Sequence, residues 1–349
     1  MKSSSHSFRS PSVALVLSFF MLSLASCGGS SASSPDGSGV GHKPSSRGQA
    51  FELVVIIPEQ LYEGEVRDSL DALVRASTPV LPQHEPLFRL NMVWADANLT
   101  SWRTFRERFV VRVNTKAPKA TVGVARDAVA VPQFEVLAEA PSRHELAVLL
   151  GRERERIQDF FVDHELDFMA AALRRKHSAA TAKAFRELTG HSICVPAALK
   201  ASKQAVDFLW TGTNLNDRDQ NFVCYSYAWD GLPLTAEQFV AKRDSALKAN
   251  IPGSRPGQWM QTARIRRQEG GEKVPLTVSR ARIINNVPVH EVHGLWELHD
   301  GALGGAFVAL ERIDSVARRV LVTEGFIYSP HSPKRNIMRE MEAALRTFE

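Results

Sequence analysis

The sequence predicts an α+β fold, with antiparallel sheets and amphipathic helices in two lobes joined by a long helical middle region. Three observations predict it. Short apolar runs of strand length, separated by turn residues, crowd the stretch from 193 to 328. Helical periodicity is confined to a few stretches, the longest at 143–175. In the second half, strands are segregated from helices rather than alternating with them, and Asn285-Asn286 between two apolar runs is a hairpin signal.

The folded part opens at Leu53-Val54-Val55-Ile56-Ile57-Pro58, a continuous apolar run that reads as a buried strand. Val66, Leu70, Leu73 and Val74 fall at helical spacing, so residues 64–76 read as an amphipathic helix ended by Pro79 and Pro82. Further strands are expected at 88–94, 109–113 and 129–138, with a short helix at 101–106. Ser142 followed by Glu145 is a capping-box pattern opening the 143–175 helix, whose apolar stripe includes Leu146, Leu150, Ile157, Phe161 and Leu173. A second helix ends near Gly190, and the boundary between lobes 51–190 and 191–349 is expected there. The second lobe reads as strands at 193–195, 208–211, 222–227, 275–284, 287–298, 307–313 and 320–328. Thr235, with Gln238 three residues on, opens a helix to about Asn250. Ser332-Pro333 opens a closing helix with Ile337, Met341, Leu345 and Phe348 on one face.

The chain of 349 residues is 44% hydrophobic and 23% charged, an ordinary globular balance. Its first 26 residues have the parts of an export signal: Lys2 and Arg9 at the start, the apolar run 13–24, then Ala25-Ser26 before Cys27. That run of about a dozen residues is shorter than the ~20 a bilayer demands. Leu24-Ala25-Ser26-Cys27 resembles the bacterial lipobox, in which the cysteine is acylated and becomes the first residue; an ordinary cleavable signal is the alternative. Acylated Cys27 would tether the protein to the lipid bilayer, each buried methylene contributing ~0.8 kcal/mol. The expected address is the cell envelope, on the outer membrane facing the periplasm. Residues 27–50, rich in Gly, Ser and Pro, read as a flexible tether spanning ~25 Å. Removing Lys2 and Arg9 leaves 41 basic against 38 acidic residues, a balance that gives no reason to expect a nucleic-acid partner.

No Gly-x-Ser-x-Gly, P-loop or zinc-protease helix is present; His164-Glu165 comes nearest to the last, but Phe168 stands where the second histidine belongs. His290, Glu291, His293, Glu297 and His299 form the most metal-like segment. Residues 293 and 297 of one strand lie ~13 Å apart, so a single strand cannot chelate and no metal or other cofactor is expected. Asn214 to Asp219 imitates a calcium loop, with Arg218 spoiling a ligand place. Cys194 and Cys224 can form a disulfide if their strands are neighbours, and are otherwise two buried thiols.

Gly212-Thr213-Asn214, Asp219-Gln220-Asn221-Phe222, Lys242-Arg243-Asp244-Ser245, Asn250-Ile251-Pro252-Gly253, Gly294-Leu295-Trp296, Gly304-Gly305-Ala306-Phe307 and Lys334-Arg335-Asn336 resemble, in order and spacing, a Bacteroidetes-type lipoprotein family, domain-of-unknown-function family 4837. The resemblance extends more loosely over 51–190, through Val55 to Leu61 and Lys176-His177-Ser178. It implies a lipoprotein without assigned activity and brings no catalytic residue. The family pattern has Pro where this chain has Ala306, and lacks the histidines at 290, 293 and 299.

The function expected is therefore a non-enzymatic envelope lipoprotein that binds an envelope protein or glycan through its strand-rich half. Asn214, Asp219, Gln220, Asn221 and Trp296 are the candidate surface. By strand alternation Trp296 faces the apolar side with Val292 and Leu298, which predicts burial, whereas exposure beside Asn214 and Gln220 would mark a binding site. A hydrolase of envelope polymers using paired carboxylates is the alternative, since such acids need no motif.

Overall fold

The computed structural model describes residues 43–266 and 273–349. The signal at 1–26, Cys27 and most of the tether lie outside the described residues. The tether's last stretch does not behave as its composition suggests. Ser46 donates its backbone N–H to the Val131 carbonyl (3.1 Å), and Arg47 exchanges backbone bonds with Thr104 and Arg106 (both 2.8 Å), so residues 43–50 belong to the folded unit.

Two sheets organise the chain. The first comprises β1 (Glu52–Ile57), β2 (Arg89–Trp94), β3 (Glu107–Val113), β4 (Thr121–Arg126) and β5 (Phe134–Ala140), in the order β2-β1-β3-β5-β4. The α+β class holds, but this sheet corrects the expectation of antiparallel sheets throughout: β2, β1, β3 and β5 run parallel, and β4 alone is antiparallel. A parallel strand is covered on both faces, which is why β1 is apolar without alternation. Leu53, Val55 and Ile57 enter the main core, while Val54 and Ile56 pack with Val93 on the other face. Helix α1 (Gly64–Val74) makes the crossover from β1 to β2.

The long middle helix is two. α2 (Arg143–Arg152), capped by Ser142 accepting from the Glu145 N–H, breaks at Glu153 before α3 (Arg154–Arg175). Gly151, the poorest helix former in the run, sits beside the break. α4 (Ala179–Thr189) ends at left-handed Gly190 (φ 81°), as expected.

The second sheet has eight strands and is antiparallel: β6 (Ala201–Ala205), β7 (Phe208–Gly212), β8 (Asp219–Ala228), β9 (Met260–Thr262), β12 (Thr277–Ile284), β13 (Val287–Leu298), β14 (Gly304–Asp314) and β15 (Arg319–Tyr328). β10 (Arg264–Arg266) and β11 (Lys273–Pro275) form a separate small ribbon. Residues 193–195, expected as a strand, are irregular. Asn285 (φ 51°) and Asn286 (φ 63°) make the tight β12–β13 turn. α5 (Ala236–Asn250) lies on the outer face of this sheet over Val223, Phe307 and Val322, and α6 (Arg335–Leu345) packs on its inner face and against α3. α6 begins later than expected, with Pro333 before the helix rather than at its first position.

One core runs from Phe51 and Val55 through Phe161 and Phe185 to Leu310, Met341 and Phe348. The stretches 51–190 and 191–349 therefore share a core, and residues 43–349 form one compact unit. On the outer face, Arg243 of α5 is fully buried and grips Glu324 of β15 side-on (Nε–Oε2 2.9 Å, Nη2–Oε1 2.7 Å) over the Phe307 ring.

Trp296 is 5% exposed and its indole N–H reaches across β14 to the Ile327 carbonyl, 3.1 Å away. It passes over Gly305. A Cβ there would sit 2.0 Å from the Ile327 oxygen and 2.8 Å from the indole nitrogen. Gly305→Ala is expected to cost ~1–3 kcal/mol by overpacking, and Trp296→Ala ~3–5 kcal/mol. Urea unfolding followed by circular dichroism checks both, and an unchanged midpoint for Gly305→Ala would show that the indole does not need that close approach.

Candidate functional site

A crevice of about 210 Å³ opens where α3 approaches the inner face of the large sheet. Residues on α3 at helical spacing, Glu155, Gln158, Asp159 and Val162, form one wall. Alternation on β12 turns Val278 and Arg280 toward the crevice, and the paired β13 supplies His293. Arg339 of α6 and the loop residues Ser77 and Pro79 close it.

The charges beneath this crevice are tightly paired. Arg280 bridges Asp159 (Nη1–Oδ1 3.0 Å) and Glu291 (Nε–Oε1 3.0 Å). Arg282 holds Asp163 at 2.6 Å, and Arg346, just past the end of α6, holds the same carboxylate. His293 bonds Glu291 through Nε2 (3.0 Å), and Glu342 lies 3.8 Å from its Nδ1. Burial alone would raise Glu291, but the His293 hydrogen bond and the charges of His293, Arg280 and Arg282 outweigh it and hold this carboxyl well below the usual range. Arg339 is 4% exposed; it pairs with Glu342 through Nη1 while its Nε has no partner.

The acids displaced upward lie elsewhere. Glu324 is raised by burial beneath Arg243. Glu107 is raised well above the carboxylate range by burial and by the Glu165 charge. It pairs with His164, which burial and the Arg126 charge pull down to about 4. Beside them Arg106 bonds Glu165 (2.6 Å). His164-Glu165 thus serves β3 and α3 packing. Neither raised acid lines the crevice.

The expected surface residues do not assemble into an exposed patch. Asn214 is an exposed left-handed turn residue (φ 54°). Asp219 accepts from the Thr213 hydroxyl (2.7 Å), the Leu215 N–H (3.2 Å) and the Asn221 amide (2.7 Å), closing the β7–β8 turn. Asn221 is 3% exposed and takes the Trp210 indole N–H, while Gln220 donates to Glu340 of α6. Asn221 and Trp296 do share the outer face of the sheet with Phe326, but as a buried layer, so the candidate surface is corrected to turn and core structure. The Cys194–Cys224 disulfide is likewise corrected. Both are free thiols, Cys194 in an irregular segment and Cys224 buried inside β8, where burial pushes its thiol up to about 12. Among the histidines, His290 bonds Glu311 on the outer face (2.6 Å) and His299 stacks on Trp259 (3.9 Å), so the metal-like run is divided among separate partners.

Sequence reasoning named His293 and Glu291 only as failed metal ligands and missed Arg280, Arg339 and Asp159. Their one signal, charged residues at core-facing positions of β12 and α6, is visible only once the partner across the crevice is known.

Residues 46–174 match the family model described as domain of unknown function (DUF8532), and residues 178–347 the one described as domain of unknown function (DUF4837). Residues 178–347 thus match a model of the family that the resemblance named. Residues 51–174, where the resemblance was looser, fall to the other model. No curated protein matches the chain. The crevice lies between the segments the two models cover: α3 comes from one, β12, β13 and α6 from the other.

The Glu107–His164 pair yields a prediction. Folded, with Glu107 raised and His164 lowered, the pair holds one proton. Unfolded, with ordinary values of 4.5 and 6.5, it holds none well above 6.5 and two well below 4.5. Its contribution is therefore greatest between those values, falling as pH rises because the folded state then binds more protons, and falling in acid because it binds fewer. Relative to Glu107→Gln, the wild type should lose stability as pH rises above 6.5 in urea melts. A constant difference across that range would sink the shared-proton assignment.

Proposed function

We propose that the protein is a non-enzymatic cell-envelope lipoprotein, anchored through acylated Cys27 on the outer membrane facing the periplasm. In this reading it binds a peptide segment of an envelope protein in the crevice between α3 and the β12–β13 hairpin. One observation carries the binding reading: every carboxylate that the crevice's own arginine Arg280 and histidine His293 touch is held as an ion pair. A glycosidase-type general acid needs a raised carboxyl facing its substrate. The raised ones, Glu107 and Glu324, are sealed at 1% and 0% exposure away from it, which argues against the hydrolase.

The lining also favours peptide over glycan. It mixes cations (Arg280, Arg339) with anions (Glu155, Asp159) and, among the described residues, includes no Trp, Tyr or Phe ring on which a sugar would stack. Residues 1–26 and the Leu24-Ala25-Ser26-Cys27 segment support the anchor.

The test uses the full chain in its own membranes. A photo-crosslinking residue at Val278, on the crevice rim and 57% exposed, should give a discrete protein adduct, weakened by Arg339→Gln. The same residue at Val316, 96% exposed and outside the crevice, should not. Identical smears from both positions would refute the crevice as the binding site. Cys27→Ala should move the protein from the membrane to the soluble fraction, and salt-resistant membrane association of that variant would refute the anchor.

A further inference from the structure

A second cavity, of about 470 Å³, lies at the far end of the large sheet's inner face and contains an unbalanced charge. Its walls are largely apolar, with Val287, Ile313, Leu321 and the Phe348 ring, and His191 stands among them. Arg312 of β14 also lines it. Alternation along β14 places Arg312 on the same side as Val308 and Leu310, toward the core, and it is 7% exposed.

Its guanidinium lies 4.1 Å from the Phe348 ring centre and donates Nη1 to the Phe348 carbonyl (3.1 Å). Nε and Nη2 are buried without a hydrogen-bond partner. These two nitrogens form the side-on edge of the guanidinium, the fork that matches the two oxygens of a carboxylate. The same chain shows that edge filled: Arg243 uses its Nε and Nη2 to hold both oxygens of Glu324. Arg312 has no such partner. The acids lining the cavity are engaged elsewhere, Asp314 with Arg319 (3.2 Å) and the Glu349 side chain with Arg174 (2.9 Å). No ion pair joins Arg312 to any acid among the described residues. Burial without a counter-ion pulls its guanidinium down to about 10, still cationic at neutral pH.

An uncompensated buried cation is expensive, and a fold that only needed filling here would be served better by an apolar residue of the same size. We propose that the cavity is a binding site for a small amphipathic monocarboxylate, the carboxylate taken side-on by Arg312 and the apolar body lying against Val287, Leu321 and Phe348. Bulk water does not reach the fork, so entry of the carboxylate requires the side chains over it to move. The site is separate from the α3 crevice and stands whether or not that crevice binds a peptide.

The test titrates octanoate into the full chain carrying Cys27→Ala, with inorganic phosphate and octanol as parallel probes. Octanoate is expected to raise the thermal midpoint, because a ligand binding only the native state stabilises it. Octanol lacks the charge and phosphate the apolar body, and neither should do so. Arg312→Lys keeps the charge but loses the fork, and should bind octanoate at least tenfold more weakly. Arg312→Met removes the uncompensated cation. It should melt no lower than its parent without ligand and be indifferent to octanoate. The proposal is overturned if octanoate leaves the parent unmoved or shifts Arg312→Met equally. An equal response to octanol, making the cavity merely apolar, or to phosphate, making it a bare oxyanion site, overturns it as well.

Discussion

Helix α3 carries charge along two of its sides, and neither is neutralised unless a sheet stands against it. Toward the first sheet, His164 and Glu165 meet Glu107 and Arg106, neighbouring residues of one segment. Toward the second, Asp159 and Asp163 meet Arg280 and Arg282, with Arg346 at the end of α6 completing the row. The rest of the helix, Ile157, Phe161 and Leu173 among it, is apolar core. Buried ion pairs contribute little net stability against an apolar alternative, but a charge left without its partner costs ~3–5 kcal/mol. The docking of α3 is thus fixed less by what it gains than by what every displaced register would lose. The crevice follows from it: α3 is held by side chains long enough to leave space between helix and sheet.

Much of the architecture was legible because local chemistry and global fold agree. The Ser142 and Thr235 caps, left-handed Gly190 and the Asn285-Asn286 turn each stand where the sequence places them. What escaped has physical causes. β4 is almost wholly exposed and β6 is a short strand at the sheet's edge, so neither shows an apolar run. Parallel order in the first sheet is a property of connections, and β1's unbroken apolar run was its only trace. Glu153 interrupts a helical stripe that continues in phase on both sides.

The site was less legible for a different reason. Arg280 and Asp159 are 121 residues apart in sequence, and each alone resembles a solvated charge on the polar face of a strand or helix. The polar turn at 212–221 misled in the opposite sense. Asn, Asp and Gln clustered near a tryptophan suggest recognition, yet Asp219 spends its oxygens closing the turn and Asn221 spends its own on Trp210. Residue types that recognise ligands are also those that satisfy a bent backbone. Only the partner count separates the two uses, and by that count Arg312 stands out where Asn221 does not.

The two family models meet between residues 174 and 178, but the physical unit does not divide there. α6 lies against α3 across that boundary, and Arg280 and Arg282 pair across it with Asp159 and Asp163. Parting the segments would strip the inner face of the large sheet, expose Leu310 and Leu321, and leave Asp159 and Asp163 facing no cation. The models therefore mark units of sequence descent rather than units of folding. A crevice lined from both sides of such a seam exists only in the joined chain. Its lining is a combination that neither segment presents alone.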